Sequence, residues 1–86
     1  MAFEIEFYKT KDGKEPVADF FDTLDDKMAA KLVGLMEVLE EKGTELRKPY
    51  SEHLEDGIFE LRCKQGSNIT RVLYFFFVGK KIVATN

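Results

Sequence analysis

The chain has very little of the residue types that carry disulfide and metal-site chemistry. It contains one cysteine and one histidine, Cys63 and His53, among 86 residues. Cys63 has no partner for an internal bridge, and the two residues together cannot make a structural zinc site of the usual spacing. A glycine-rich phosphate loop and the Gly-x-Ser-x-Gly turn of serine hydrolases are also absent. We therefore expect no metal and no cofactor, with Cys63 as a small core residue and His53 as an exposed one.

Long apolar runs are lacking as well. The longest, residues 72–78, spans seven residues, whereas a membrane-crossing helix needs about 20. No basic-then-apolar leader opens the chain, since Glu4 and Glu6 interrupt its first apolar residues. Together with the single cysteine, these features predict a cytoplasmic protein.

The length limits the number of domains. With 86 residues, 44% of them hydrophobic, the chain can form one compact domain around one core and is too short for two. We predict a single domain over residues 1–86. A domain of this size without a disulfide is expected to have marginal stability.

Charge is distributed unevenly along the chain. The net charge is −3, but residues 1–56 hold 8 Lys and Arg against 15 Asp and Glu, whereas residues 57–86 hold 5 against one. The C-terminal third therefore carries +4 and the rest −7. Basic residues of this kind either solvate exposed strand faces or bind phosphate, and the charge pattern alone leaves both interpretations open.

The N-terminal half predicts one strand followed by two helices. Apolar residues alternate with polar ones over residues 3–8, which is typical of a strand with one buried face. Pro16 suits the first turn of a short amphipathic helix, and a pair of aspartates at 25–26 caps a second helix that runs to Gly43. Val17, Phe20, Phe21 and Leu24 form the apolar stripe of the first helix, and Met28, Leu32, Leu35, Met36 and Leu39 that of the second.

The C-terminal half predicts an antiparallel meander of three strands. Residues 44–56 show little periodicity and are predicted to form a surface loop. Strands follow at 58–64, 69–78 and 81–85, separated by polar turns that contain glycine. Both the odd-numbered and the even-numbered residues of the middle strand are largely apolar, which indicates that other parts of the protein cover both faces of this strand. The two predicted helices cover one face. The predicted class is α+β, with one twisted sheet.

Cations on the predicted strands are the strongest candidates for chemistry. Arg62 and Lys64 share one face of their strand, whereas Arg71 and Tyr74 lie on opposite faces of the next unless a bulge intervenes. Cleavage of RNA by its own 2′-hydroxyl needs no metal, but it needs cations that stabilise the charge of the transition state, and the planar fork of arginine suits phosphate oxygens. The alternative is that Arg71 is a structural cation paired with a carboxylate such as Glu60.

The order of elements and three segments together resemble the phage-derived branch of the RelE/HigB toxin family. The segments are residues 15–21 (Glu-Pro-Val-Ala-Asp-Phe-Phe), 54–62 (Leu-Glu-Asp-Gly-Ile-Phe-Glu-Leu-Arg) and 71–76 (Arg-Val-Leu-Tyr-Phe-Phe). The resemblance runs from about Phe3 to the last residue. It implies a compact domain with a twisted antiparallel sheet that cleaves messenger RNA on the ribosome by metal-independent 2′-hydroxyl attack. It also implies a helix-turn-helix antitoxin as partner.

The resemblance assigns roles to individual residues. Arg62 and Arg71 match positions where family members place phosphate-binding, catalytic cations. Lys64, Lys80 and Lys81 are candidates for contact with the RNA backbone. Tyr74 matches the family's strand and is interpreted as a core aromatic residue. Glu60 stands where some relatives have a basic residue, which lowers the local positive potential.

The end of the chain departs from the family pattern. Family members continue after the last strand with a Phe-x-Lys-Lys motif and a basic helix, whereas residues 82–86 reach the end of the strand and stop. The resemblance therefore implies a chain shortened at its C-terminus. Two other functions stay open: a catalytically inactive module that binds an antitoxin, and a homo-oligomer that associates through the exposed sheet face.

Overall fold

A computed structural model describes residues 2–86 and confirms the predicted α+β class. Within those residues it contains five strands, two α-helices and a short 3₁₀ turn. In chain order these are β1 (Glu4–Phe7), α1 (Pro16–Phe21), α2 (Asp26–Lys42), the 3₁₀ turn (Gly43–Glu45), β2 (Ser51–Glu55), β3 (Ile58–Gln65), β4 (Asn68–Phe77) and β5 (Lys81–Ala84).

The five strands form one mixed sheet in the order β1-β5-β4-β3-β2. The predicted meander is confirmed as β3, β4 and β5, which pair antiparallel. The N-terminal strand lies beside the C-terminal one: β1 pairs in parallel with β5, and Ile5 lies opposite Ile82. Because a parallel pair needs a crossover connection, the helices and the meander together form the link between β1 and β5.

Both helices begin where their capping residues predict and α2 also ends there, whereas α1 ends at Phe21, so Leu24 of its predicted apolar stripe lies in the turn that follows. The side chain of Asp25 accepts a hydrogen bond of 2.8 Å from the backbone N–H of Met28, which satisfies one of the free donors at the start of α2. Pro16 occupies the first turn of α1, where the missing N–H costs nothing. The longer helix, α2, has 17 residues. Neither helix within residues 2–86 has the length and apolar character needed to span a membrane.

One face of the sheet packs against the helices and forms the hydrophobic core. The buried residues of this core are Val17, Met28, Leu32, Met36 and Leu39 from the helices, and Leu61, Cys63, Val72, Tyr74, Ile82 and Ala84 from the sheet. Along β4 the buried residues recur at every second position, from Thr70 to Tyr74, as a pleated strand with one covered face requires. The helix-facing side of the sheet is therefore a packed interior.

Tyr74 lies in this core, as predicted. Its side chain is buried, its ring stacks on Phe59 with centroids 5.5 Å apart, and its hydroxyl shares a hydrogen bond of 2.5 Å with the hydroxyl of Ser51. Burial raises the pKa of Tyr74, and the bond to Ser51 opposes that shift. A buried phenol needs a hydrogen-bond partner, and Ser51 supplies it.

The prediction of a surface loop over residues 44–56 is wrong in its second half. Residues 51–55 form the edge strand β2, in which Ser51 lies opposite Leu61 and Glu52 opposite Glu60. The strand is mostly polar because it lies at the edge of the sheet with only Ser51 buried, so apolar alternation does not mark it. The turn that joins β2 to β3 can be recognised in the sequence by the dipeptide Asp56-Gly57. These residues have φ of 52° and 79°, as in the type I′ turns that Asp-Gly favours.

The prediction that β4 is covered on both faces is also wrong within residues 2–86. We call the side of the sheet away from the helices the open face. On this side Leu73 and Phe75 are half-buried, and Phe77 is 55% exposed. Cross-strand neighbours supply the partial burial: Phe75 lies between Ile58 of β3 and Val83 of β5. The apolar residues on this side of β4 therefore pack against side chains of the neighbouring strands, whereas the sequence pattern predicted that a further part of the protein covers them.

Candidate functional site

Arg62 and Arg71 lie directly opposite each other on the open face. They are paired in the register of β3 and β4. Both side chains lie on the side of the sheet that points away from the helices, because the residues next to them in each strand are buried in the core. The backbone N–H of Arg62 donates to the carbonyl of Tyr50, on the β2 side of the strand, at 2.8 Å. The pair with Arg71 is therefore of the non-hydrogen-bonded type, in which opposite Cα atoms are about 4.5 Å apart. The register therefore brings the backbones of the two arginines as close as an antiparallel pair allows.

Two glutamates stand beside the arginine pair. One oxygen of Glu60 lies 3.2 Å from Nε of Arg62 and 3.6 Å from Nε of Arg71, and Glu52 lies 3.4 Å from Nη1 of Arg62. Like charges that face each other across two strands destabilise a sheet, and a shared carboxylate offsets that repulsion. Arg71 is therefore paired with Glu60, as the structural-cation interpretation required, but the same Glu60 oxygen also serves Arg62.

The arginine pair remains accessible despite these carboxylates. The side chain of Arg71 is 50% exposed and that of Arg62 34%. The three nitrogen–oxygen distances are longer than the roughly 2.7–2.9 Å of a well-formed charge-assisted hydrogen bond. An incoming phosphate group can therefore compete for both guanidinium groups. We call Arg62, Arg71, Glu60 and Glu52 the arginine cluster.

The three candidate lysines take different positions. Lys64 is exposed and lies two residues beyond Arg62 on the same face of β3. Lys81 lies at the far end of the open face, opposite Phe77, and its ammonium group is 2.7 Å from Glu6. Since Phe77 is six residues from Arg71 along β4, Lys81 is separated from the cluster by about 20 Å.

Contacts with other residues engage both lysines at that end of the face. The hydrogen bond to Glu6 raises the pKa of Lys81. The ammonium group of Lys80 lies 5.2 Å from the centre of the Phe3 ring, within the range of a cation–π contact. The structure thus joins Lys64 to the arginine cluster and leaves Lys80 and Lys81 apart from it.

The remaining reactive side chains are placed for structural roles. Cys63 is buried in the core, and burial raises the pKa of its thiol, although nearby Lys31 acts in the opposite direction. His53 is exposed, and its ring packs 4.8 Å from that of Phe59. Among residues 2–86 no three or more His, Cys, Asp or Glu side chains gather as a possible metal site.

Glu52 is the member of the cluster that sequence reasoning missed. The weak periodicity of residues 44–56 predicts a loop, and a loop residue has no partner on a neighbouring strand. The Asp-Gly dipeptide at 56–57 marks the β2–β3 hairpin, but counting back from the Glu55–Ile58 pair would place Glu52 opposite Leu61, on the helix-facing side of the sheet. A register shift between His53 and Glu55 instead brings Glu52 opposite Glu60 and onto the open face, so its place in the cluster follows from the structure and not from counting.

The fold and the cluster define a small α+β protein with a charged, uncovered sheet face. Residues 19–86 match the family described as Phage derived protein Gp49-like (DUF891). The match covers most of the chain, including α2, all strands from β2 to β5 and the whole arginine cluster. The protein therefore belongs to this phage-derived family. No curated protein matches the chain.

Glu60→Gln is expected to tighten binding of single-stranded RNA by about three- to tenfold at low salt. The substitution removes the negative charge that the two arginines share, and phosphate affinity follows local cationic charge. Fluorescence anisotropy with a labelled oligoribonucleotide measures the effect, which should shrink as salt is added. The matched control is Glu37→Gln, which changes the net charge equally at an exposed position on α2. Equal effects of the two variants would contradict a local role of Glu60.

Proposed function

We propose that this protein is a toxin of the RelE/HigB type that cleaves messenger RNA on the ribosome through its open sheet face. The facing pair of Arg62 and Arg71 carries the proposal. Membership of a phage-derived family and the resemblance in the segments around both arginines support it. The proposed substrate, RNA held in the ribosome, also implies a cytoplasmic protein.

The proposed reaction is attack of a ribose 2′-hydroxyl on the adjacent phosphorus. The bond between the 2′-oxygen and phosphorus forms as the bond to the 5′-oxygen of the next nucleotide breaks. The products are a 2′,3′-cyclic phosphate and a free 5′-hydroxyl, and no metal or cofactor takes part. Negative charge builds on the non-bridging oxygens in the transition state, and fixed cations that face them lower its energy.

The two arginines suit this role for three reasons. A guanidinium group stays charged at any physiological pH and can bind two phosphate oxygens at once. Both groups project from neighbouring strands of a rigid sheet, so little ordering is needed when substrate arrives. Phosphate oxygens would replace the long contacts to Glu60 and Glu52, while Lys64 adds a third cation on the same side.

A helix-turn-helix antitoxin is the proposed protein partner. The two α-helices cover the opposite side of the sheet from the arginine cluster, and the acidic charge of the chain is concentrated in residues 1–56. A partner could therefore bind the helices without touching the cluster. Silencing would then act by keeping the toxin away from the ribosome.

A purified translation system tests the proposed function. The protein is added to ribosomes stalled on a defined messenger RNA, and primer extension locates any cut. We expect cleavage only when ribosomes are present, with cyclic phosphate at the 3′ end of the upstream fragment. An intact message, or cutting that persists after both Arg62 and Arg71 are replaced with alanine, would contradict the proposal.

A binding module that self-associates is the second candidate, and the apolar half of the open face favours it. Leu73, Phe75 and Val83 are half-buried there, and Phe77 is 55% exposed. Exposed apolar surface of this kind commonly marks an association surface. Sedimentation at high protein concentration distinguishes the two candidates, since a clean monomer removes the homo-oligomer.

A further inference from the structure

A groove lies between α2 and the end of β3, beside the arginine cluster. Its volume is about 890 Å³. Lys31, Gly34, Leu35 and Val38 of α2 form one wall, and Tyr50, just before β2, helps form the other. Residues at the end of β3 and the start of β4 complete its lining. We call this the α2–β3 groove.

The edge of β3 is uncovered along this groove. The pairing of β2 with β3 begins with Ser51 opposite Leu61, so residues 63–65 extend beyond β2. Because the N–H of Arg62 points toward β2 and backbone direction alternates, the N–H and C=O of Lys64 point to the same side. The carbonyl of Lys64 accepts a hydrogen bond from the ammonium group of Lys31 across the groove. An extended chain can pair with this strand edge if its own N–H takes the place of the Lys31 ammonium group at the Lys64 carbonyl, which frees Lys31 for another contact.

Gly34 has no side chain and therefore leaves space on the α2 side of the groove. It lies in the interior of a 17-residue helix, where glycine costs about 0.5–1 kcal/mol relative to alanine. Apart from its chain neighbours and the backbone of its own helix, no atom of residues 2–86 would lie within 4 Å of a Cβ atom at this position, so tertiary packing does not require glycine. The helix therefore tolerates an unfavourable residue at a point that faces open space.

The charge of the groove defines its occupant. Within residues 2–86 its lining includes Lys31 and Lys64 and no aspartate or glutamate, and it also includes Arg62, whose guanidinium group contacts Glu60 and Glu52 on the open face. Much of the remaining surface is aliphatic, from Leu35 and Val38 of the helix. Among the described residues of the lining, Tyr50 alone offers RNA an aromatic ring for stacking, whereas a peptide finds apolar walls, a strand edge and countercharges for carboxylates.

We propose that the α2–β3 groove binds an extended segment of a partner protein in which apolar side chains alternate with carboxylates. The segment adds to the sheet at Lys64, its apolar side chains pack against Leu35 and Val38, and its carboxylates face Lys31 and Lys64. Alternate side chains of a strand point to opposite sides, which suits a groove with an apolar wall and a cationic rim. The proposal does not depend on RNA cleavage.

Fluorescence polarisation with the 86-residue chain tests the proposal. The probe is a labelled, end-capped peptide of about six residues, the length of a typical strand, in which valine alternates with glutamate. We expect it to bind Gly34→Phe at least about tenfold more weakly than wild type because the ring fills the groove, whereas Val33→Phe, which places the same ring on α2 outside the groove lining, should bind like wild type. A valine–lysine peptide should not bind.

A second variant keeps the test decisive if Gly34→Phe does not fold. Lys31→Glu is expected to weaken binding of the valine–glutamate peptide about tenfold and to favour the valine–lysine peptide instead. No binding, or binding that neither variant changes, would overturn the proposal. Two other results would also overturn it. In an NMR titration, RNA and not the peptide could shift the amide resonance of Gly34. In sedimentation, the wild type could self-associate and the Gly34→Phe variant could not. Loss of RNA cleavage alone bears on the open face and not on this groove.

Discussion

Replacing Arg71 with alanine is expected to slow cleavage of ribosome-bound messenger RNA by about 10²–10³-fold, the usual cost of losing one transition-state donor. The fold should survive, because the side chain is 50% exposed and its distance to Glu60 is 3.6 Å. Ion pairs as exposed as this one contribute about 0–1 kcal/mol to stability. Single-turnover cleavage in the translation system and urea unfolding together measure the two effects.

Two further variants separate geometry from charge. Arg71→Lys keeps the charge but loses the fork that binds two oxygens, so we expect a loss smaller than that of alanine and still clearly measurable. Arg47→Ala removes an exposed arginine from the turn before β2, outside the cluster, and should cleave at nearly the wild-type rate. If Arg71→Ala unfolds the protein at low urea, Arg71 is a structural cation and the catalytic role is lost.

Gly43→Ala is expected to lower the free energy of unfolding by about 2–4 kcal/mol. Gly43 ends α2 with φ of 54° and ψ of −122°, a conformation that costs a residue with a Cβ about 1–3 kcal/mol. A Cβ at this position would also overlap the ring of Phe3, so the strand end or the helix end must shift. For a domain this small, that loss is a large part of the total stability.

Urea unfolding followed by circular dichroism measures the effect, with Gly34→Ala as the matched control. The same substitution at Gly34 lies inside a helix with open space around it and should raise stability by about 0.5–1 kcal/mol. Opposite signs for the two variants would support the account of the α2 boundary. A Gly43→Ala protein as stable as wild type would show that Phe3 and the helix end can separate freely.

Local signals in the sequence predict most of this fold. The Asp25 cap, Gly43 and the alternation over residues 3–8 each place an element boundary near where the structure has it. The strand β2 could not be recognised by apolar alternation, because it lies at an edge and depends on backbone hydrogen bonds to β3 for its conformation. The parallel pairing of β1 with β5 joins residues about 77 positions apart, which no local pattern encodes.

The arginine cluster was predictable in part. Alternation alone places Arg62 and Lys64 on one face, and the tight turn that leaves Gln65 opposite Asn68 fixes Arg62 opposite Arg71 by counting. The contact between Arg71 and Glu60 agrees with the interpretation of Arg71 as a structural cation. The sharing of Glu60 by both arginines depends on side-chain conformations that spacing does not determine.

The most direct test is whether one phosphate group engages both arginines. Uniformly ¹⁵N-labelled protein is titrated with a short RNA that carries a 2′-deoxyribose at the cleavage position, so that it binds without reacting. We expect the Nε–H resonances of Arg62 and Arg71 to shift together, at the same RNA concentration, as their contacts with Glu60 are replaced. Resonances that stay unchanged while RNA binds elsewhere would contradict the account.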